Sequence, residues 1–203
     1  MIIILTQCFP PRIGGIENLI ENLSIELSKT HEVLVLADQH NKSKDALYDV
    51  SHKNNFLINR FGGLKFFRKR KKLSELKKYL DTKKVSCIIG DSWKSFELSI
   101  DIIQDQSITT ICLVHGNEII TKNPRHKKRV TSTLNKISHI VCNSNYTKDL
   151  VYDPGNILDP DEDAISLNQL KKIGLKVSLY DEKQLKKMRK RELLVVQFSF
   201  NLA

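Results

Sequence analysis

Short apolar segments alternate with amphipathic or polar segments along most of the chain. Six of these segments have the apolar, β-branched composition of buried strands: 1–5, 32–37, 56–60, 85–89, 108–114 and 137–142. Strands that are apolar on both faces are typical of a parallel sheet covered by helices on both sides. The sequence therefore predicts an α/β fold with a doubly wound, Rossmann-like parallel sheet.

The segments between the strands supply the helices. Helices are predicted over 16–27, over 121–136 with an early break at Pro124, and over 146–151. A further helix is predicted around an apolar stripe formed by Leu73, Leu76, Tyr79 and Leu80. Another is predicted to begin after the N-cap Ser92 and to contain Trp93, Phe96, Leu98 and Ile102. Residues 38–54 are interpreted as a polar connection.

The first strand and helix are joined by a turn that ends in Gly14 and Gly15. Without Cβ atoms, these two residues allow unusual dihedral angles and a close approach of the backbone to a ligand. The first N–H groups of the following helix lack partners within it, and its dipole is positive there. The turn is therefore a candidate phosphate-binding site.

Two further loops follow predicted strands directly, Gly90-Asp91-Ser92 and His115-Gly116-Asn117-Glu118. Because ligands of open parallel sheets bind beyond the carboxyl ends of the strands, these loops and the glycine turn are expected to converge. His115 either caps its strand or contacts a ligand. The fingerprint GxGxxG is absent from the first turn, which disfavours an NAD-dependent dehydrogenase.

The 203-residue composition is that of a globular protein, with four scattered cysteines that we interpret as buried free thiols: Cys8, Cys87, Cys112 and Cys142. The apolar run 1–5 is too short to span a membrane and lacks the features of a signal peptide. We therefore expect a cytoplasmic protein.

The net charge of +10 is concentrated in residues 65–84, which contain ten basic and two acidic side chains. One interpretation is a solvated helix face. The other is attachment to the inner face of an anionic membrane through Phe66, Phe67, Arg68, Lys69, Arg70, Lys71 and Lys72, which join an apolar wedge to a polybasic run. Nucleic-acid binding is disfavoured because no recognition motif accompanies the charge.

The pattern changes after residue 152. An acidic, turn-rich linker is followed by a Lys-rich amphipathic stretch over 167–191 and an apolar strand over 193–200. We interpret residues 1–152 as one Rossmann-like domain, and residues 153–203 as a linker with the incomplete start of a second domain. Whether the latter region folds is left open.

Several motifs together resemble the N-terminal domain of the family 4 retaining glycosyltransferases. The resemblance rests on residues 9–17 (Phe-Pro-Pro-Arg-Ile-Gly-Gly-Ile-Glu), the Leu-rich helix after them, residues 31–36, residues 115–118 and residues 143–150. These enzymes have the GT-B fold, in which two Rossmann-like domains face each other across a cleft. The resemblance covers residues 1 to 150 and implies a hexosyltransferase that needs neither metal nor cofactor besides its nucleotide-sugar substrate.

The resemblance also implies roles for individual residues. Gly14 and Gly15 would donate backbone hydrogen bonds to the diphosphate of the donor, and His115 would lie near the transferred sugar as the catalytic candidate. Further candidates for contacts to the sugar or the acceptor are Arg12, Glu17, Asp91, Glu118, Tyr146 and Lys148. The acceptor itself would be a sugar or a lipid-linked molecule.

The donor-binding residues of the family belong to a C-terminal domain that the sequence does not contain. We therefore expect the chain to be inactive alone, either as a truncated product or as one partner of a split enzyme with a separately encoded C-terminal GT-B domain. Two alternatives remain: a non-catalytic module that binds a membrane or a glycan, and a fragment of a GT-B-like sugar-nucleotide epimerase.

Overall fold

The computed structural model describes residues 1–52, 55–104, 106 and 108–152. The described part contains one six-stranded sheet, in which every strand pairs in parallel with its neighbours. The strands are β1 (Ile2–Thr6), β2 (Val33–Asp38), β3 (Leu57–Phe61), β4 (Cys87–Gly90), β5 (Thr109–Val114) and β6 (His139–Cys142). Their order across the sheet is β3-β2-β1-β4-β5-β6, so the predicted doubly wound, Rossmann-like sheet is confirmed.

Helices cover both faces of this sheet. They are α1 (Gly15–Ser28), α2 (Lys42–His52), α3 (Lys65–Thr82), α4 (Trp93–Phe96), α5 (Ile100–Gln104), α6 (Pro124–Leu134) and α7 (Asn145–Tyr152). Because alternate residues of a strand point to opposite faces, Ile2 and Ile4 pack in the cluster that includes α1, while Ile3 and Leu5 pack in the cluster with α3 to α7. The result is a three-layer α/β/α arrangement.

Helix α2 corrects the interpretation of residues 38–54 as a connection. Two apolar residues that would mark a buried stripe, Leu47 and Val50, are 76% and 63% exposed. The helix docks instead through Asp45, which is buried, and through the ring of Tyr48, which packs edge-on against Phe9 at 5.9 Å. The spacing of the apolar residues in α2 therefore does not reveal which face of the helix is buried.

Two other helices differ in detail from the prediction. The helix expected after Ser92 is divided into α4 and α5 by a turn, and Leu98 in this turn is 49% exposed. Helix α6 begins at Pro124 rather than being broken there. Proline fits the first helical position because its missing N–H has no partner in that turn, and the side chain of Asn123 accepts from the amides of Arg125 and His126.

The predictions made for residues 153–203 lie outside the described residues. Within the described ranges, no helix combines the length and the apolar character that crossing a bilayer requires.

Candidate functional site

The carboxyl ends of β1 and β4 are joined by the carboxylate of Asp91, which is 2% exposed. Its Oδ2 accepts from the hydroxyl of Thr6 and from the backbone amide of Gln7, both at 2.8 Å. Its Oδ1 accepts from the hydroxyls of Ser92 and Ser95 at the start of α4. With four donors around it, this carboxylate holds the loops together.

His115, at the end of β5, is held by the same segment. Its Nε2 lies 2.9 Å from the backbone carbonyl oxygen of Asp91. Because a carbonyl oxygen can only accept, Nε2 carries the proton of this hydrogen bond. In the neutral imidazole, Nδ1 is then left with a lone pair and can accept a hydrogen bond.

The turn after His115 is closed by Glu118. The Oε1 atom of Glu118 accepts from the amide of His115 at 2.7 Å, and its backbone oxygen accepts from the indole of Trp93 at 3.1 Å. Gly116 has φ +103°, a left-handed conformation that favours glycine, and a Cβ there would lie 3.2 Å from Oγ1 of Thr147 on α7. The turn is therefore fixed from three sides.

The β1–α1 loop has a firmly anchored base. Lys72 donates to the carbonyl of Thr6 at 2.7 Å, and His40 donates through Nε2 to the carbonyl of Gln7 at 3.0 Å. Phe9 is fully buried, and the guanidinium of Arg60 donates to the carbonyl of Pro10. Residues from β3, α3 and the end of β2 thus hold a loop that precedes them in the chain.

The tip of the same loop, residues 12–15, is exposed. Arg12 and Ile13 are exposed, the side chain of Ile13 by 94%. The Nε atom of Arg12 pairs with the buried carboxylate of Glu17 at 2.9 Å. This pair places one half-exposed guanidinium directly beside the N-terminus of α1.

The conformation of the glycine turn differs from the unusual dihedral angles expected at Gly14. Gly14 has φ 176°, an extended conformation open to any residue, and Gly15 is the first residue of α1. A Cβ at Gly14 would lie only 2.2 Å from Oε2 of Glu17. Glycine at this position therefore lets the Glu17 carboxylate lie close against the backbone, and the dihedral angle itself does not call for glycine.

Cys8 lies in the β1–α1 loop and is partly exposed, which corrects the expectation of a buried thiol at this position. It is not part of a disulfide, its N–H donates to Oγ1 of Thr6 at 3.0 Å, and its carbonyl oxygen lies 2.7 Å from the same atom. Burial, with the charges of Asp91 and Glu17, raises the pKa of its thiol to about 11. The thiol is therefore protonated at neutral pH and is a poor nucleophile.

The basic residues of α3 divide into those with ion-pair partners and those that are exposed. Arg68 and Lys72 pair with Asp38 at 2.9 and 2.6 Å, and Lys69 pairs with Glu97 at 3.0 Å. Burial lowers the pKa of Lys72, against the opposing effect of Asp38. These three cations are therefore partly buried and each is paired with a carboxylate.

The outer face of α3 retains the rest of the predicted surface. Phe66 and Phe67 are 59% and 57% exposed and contact each other edge-on. Arg70 lies over the ring of Phe66 at 4.5 Å, and Lys71 is also exposed. Leu64, just before the helix, extends this apolar patch, which we call the aromatic patch.

The remaining candidates lie on α7. Tyr146 is 68% exposed and precedes Thr147, which packs beside Gly116. Lys148 is half-buried one turn from Ser144. Among the residues that the structure describes, no cluster of three His, Cys, Asp or Glu side chains is arranged to hold a metal ion.

The chain is similar to known proteins both in its sequence family and in its structure. A family model described as Glycosyltransferase Family 4 matches residues 13–155. Among solved structures, UDP-GlcNAc 2-epimerase from Methanocaldococcus jannaschii is similar at 16% sequence identity with a TM-score of 0.49, over 73% of this chain and 41% of that chain. The chain therefore spans less than half of that epimerase. No curated protein matches the sequence.

Proposed function

Since the chain belongs to glycosyltransferase family 4, we propose that residues 1–152 form the acceptor-side domain of an enzyme that transfers a sugar from a nucleotide-sugar donor. The observation that supports this most is the imidazole of His115, held by the Asp91 carbonyl at the same sheet edge as the exposed N-terminus of α1. A hydrogen-bond acceptor and a set of N–H donors at one edge suit a sugar and its diphosphate.

The diphosphate would bind at the N-terminus of α1. The amide of Asn18 bonds to the carbonyl of Gly14, so the amides of residues 15–17 precede the first helical hydrogen bond. These donors and the helix dipole favour an anion. Arg12 balances Glu17 and brings its guanidinium to the same place, which would stabilise the negative charge of the leaving diphosphate.

His115 would orient the transferred sugar. With Nε2 donating to the Asp91 carbonyl, Nδ1 can accept a hydrogen bond from a sugar hydroxyl. The fixed turn at Gly116 and Glu118 would keep the ring in this orientation without reorganisation during transfer.

The proposal can be tested by nuclear magnetic resonance on the ¹⁵N-labelled chain. Titration with UDP, GDP and ADP and with their glucose conjugates is expected to shift the amides of residues 14–17, and the sugar conjugates should also shift the ring of His115. Gly14→Val is expected to weaken binding about tenfold, because the added side chain displaces Glu17 from its place.

The matched control is the nucleoside without phosphate, which should leave these amides unchanged. The proposal fails if none of the nucleotides shifts residues 14–17, or if uridine, guanosine or adenosine shifts them equally.

We also propose that the domain acts at the cytoplasmic face of an anionic membrane through the aromatic patch. The patch combines exposed rings with cations, which is the composition of interfacial segments. Phe66→Ser with Phe67→Ser should reduce sedimentation with phosphatidylglycerol vesicles, whereas Leu47→Ser with Val50→Ser, equally exposed on α2, should not. If vesicles bind and nucleotides do not, the non-catalytic membrane module is the better description.

A further inference from the structure

A small cleft opens between α3 and α4 at the carboxyl ends of β1 and β2. Its volume is about 40 Å³. Five cationic side chains line it against one carboxylate: Lys65, Arg68, Lys69, Lys72 and Lys94, with Asp38. Lys65 in its lining directly precedes Phe66 of the aromatic patch, and the side chains of Arg68, Lys69 and Lys72 are partly buried.

Three of the five cations have partners within the protein. Asp38 accepts from Lys72 and pairs with Arg68, and Lys69 pairs with Glu97. Glu97 is shared with Arg129 from α6, and the two cations together lower the pKa of this carboxyl, against the effect of its partial burial. Neither carboxylate is therefore free to neutralise a further lysine.

The other two cations, Lys65 and Lys94, make no ion pair with any residue that the structure describes. They come from opposite walls, one from the first turn of α3 and one from α4. Lys94 contacts the face of Trp93 at 5.8 Å, which orients the ammonium without neutralising it. Two like charges across a narrow cleft repel each other unless an anion lies between them.

A second observation also indicates an absent acceptor. Gln7 lines the same cleft, and its Nε2 atom is buried without a hydrogen-bond partner among the residues that the structure describes. Buried side-chain donors are nearly always satisfied, because an unmade hydrogen bond costs free energy. An anionic oxygen in the cleft would satisfy this amide and the two lysines together.

The size and lining of the cleft define the ligand. A single water needs roughly 10–15 Å³ of such space, so the cleft holds a group of only a few heavy atoms. Its floor is apolar, formed by Leu5 and Leu76, and Leu98 stands exposed at its mouth. A compact polyanionic group attached to a larger molecule fits this combination.

We infer that the cleft binds a phosphate group of the acceptor, held by Lys65, Lys94 and the amide of Gln7. This inference rests on the proposed sugar transfer, since it specifies the acceptor. The phosphate can belong to a lipid headgroup that enters beside the aromatic patch or to a soluble phosphate ester, and the chemistry of recognition is the same.

The test follows the side-chain NH₂ signals of Gln7 by nuclear magnetic resonance during titration of the full chain. One arm uses glycerol 3-phosphate, and the other uses phosphatidylglycerol in phosphatidylcholine nanodiscs. Both Gln7 signals are expected to shift in at least one arm, and Lys65→Gln with Lys94→Gln should weaken that binding about tenfold or more.

Two matched variants keep the result interpretable. Lys77→Gln with Lys83→Gln removes the same charge from exposed positions outside the cleft and should change the affinity less than about twofold. Lys65→Arg with Lys94→Arg keeps the charge and should retain binding. Thermal melts of all variants check folding, for which no loss is expected because neither lysine has an ion-pair partner.

The arms also separate the sources of phosphate. A shift with glycerol 3-phosphate assigns a soluble ester, and a shift only with nanodiscs assigns a lipid headgroup. The inference is overturned if neither probe shifts Gln7, if the Lys77 and Lys83 control loses as much affinity as the cleft variant, or if nanodiscs made anionic by a carboxylate lipid act equally well. Because the nucleotide titration follows residues 14–17 instead, failure of one proposal leaves the other testable.

Discussion

The two ends of the sheet are built from different chemistry. The four buried carboxylates among the described residues, Glu17, Asp38, Asp45 and Asp91, all lie at or after the carboxyl ends of strands. At the amino ends, no described carboxylate is buried. Thr110 and Ser138 exchange hydrogen bonds between β5 and the start of β6, and the amide of Ser86 bonds to the carbonyl of Met1.

The two ends therefore differ in the free-energy cost of burying their polar groups. A buried carboxylate is stable only when donors or cations surround it, so each one requires several residues to be placed around it. At the carboxyl end, these groups hold the loops that follow the strands in fixed positions. The amino end only closes the sheet, and backbone and hydroxyl groups are sufficient there.

The largest expected effect is at Arg60, at the carboxyl end of β3. Its guanidinium binds both carboxylate oxygens of Asp49, lies 3.7 Å from Asp45 and donates to the carbonyl of Pro10. Arg60→Met should cost about 3–5 kcal/mol in unfolding free energy, because the buried carboxylate of Asp45 loses its cationic partner. Urea unfolding measures this, and a cost below about 1 kcal/mol would contradict the importance assigned to the buried charges.

The next effect is at Asp91. Asp91→Ala should cost about 3 kcal/mol in unfolding free energy, because it leaves the Gln7 amide without its acceptor and removes one of the two acceptors near the Thr6 hydroxyl. Asp91→Asn is the control, since its remaining oxygen can still accept from both groups, and it should cost distinctly less. Equal losses in the two variants would show that the charge itself, and not the hydrogen bonds, stabilises the loops.

A smaller effect is expected at the amino end. Thr110→Val keeps the shape of the side chain but removes the acceptor of the Ser138 amide, which lies 2.8 Å away. The expected loss in unfolding free energy is about 1–2 kcal/mol. A loss as large as that of Asp91→Ala would remove the distinction between the two ends.

The smallest effect depends on pH. His139 begins β6, its Nδ1 is buried without a hydrogen-bond partner, and burial lowers its pKa from the usual 6.5. The unfolded chain therefore binds a proton more readily than the folded one, so this residue's contribution to stability is complete above pH 6.5 and is lost as the pH falls through the folded pKa. His139→Gln should reduce the loss of unfolding free energy between pH 7.5 and pH 5. An unchanged pH dependence would show that His139 is accommodated equally well when charged.

The sheet was predictable because its central strands, such as β1 and β2, are almost entirely apolar and are buried along their whole length. The family resemblance over residues 1 to 150 is confirmed by the family model over residues 13–155. Helix α2 was missed because it docks through Asp45 and Tyr48 rather than through an apolar stripe. Pro124 was misinterpreted because the same residue that breaks a helix interior is well suited to its first turn.

For the candidate site, the sequence located the three loops but not what holds them. The contacts of Thr6 with Asp91 and Lys72 span 85 and 66 residues, and no local pattern predicts such pairs. The polybasic run shows the same limit. Its composition indicated one charged surface, whereas helical geometry turns Arg68, Lys69 and Lys72 inward and leaves Arg70 and Lys71 outside.

The strand order also makes each half of the sheet continuous in the chain. Strands β1, β2 and β3 belong to residues 2–61, strands β4, β5 and β6 belong to residues 87–142, and of the five strand pairings only β1 with β4 joins the halves. Cleavage after Lys83, at the exposed end of α3, would therefore separate the domain into two fragments of three adjacent strands each. Such fragments could reassociate through the β1–β4 pairing, so the domain is suited to fragment complementation.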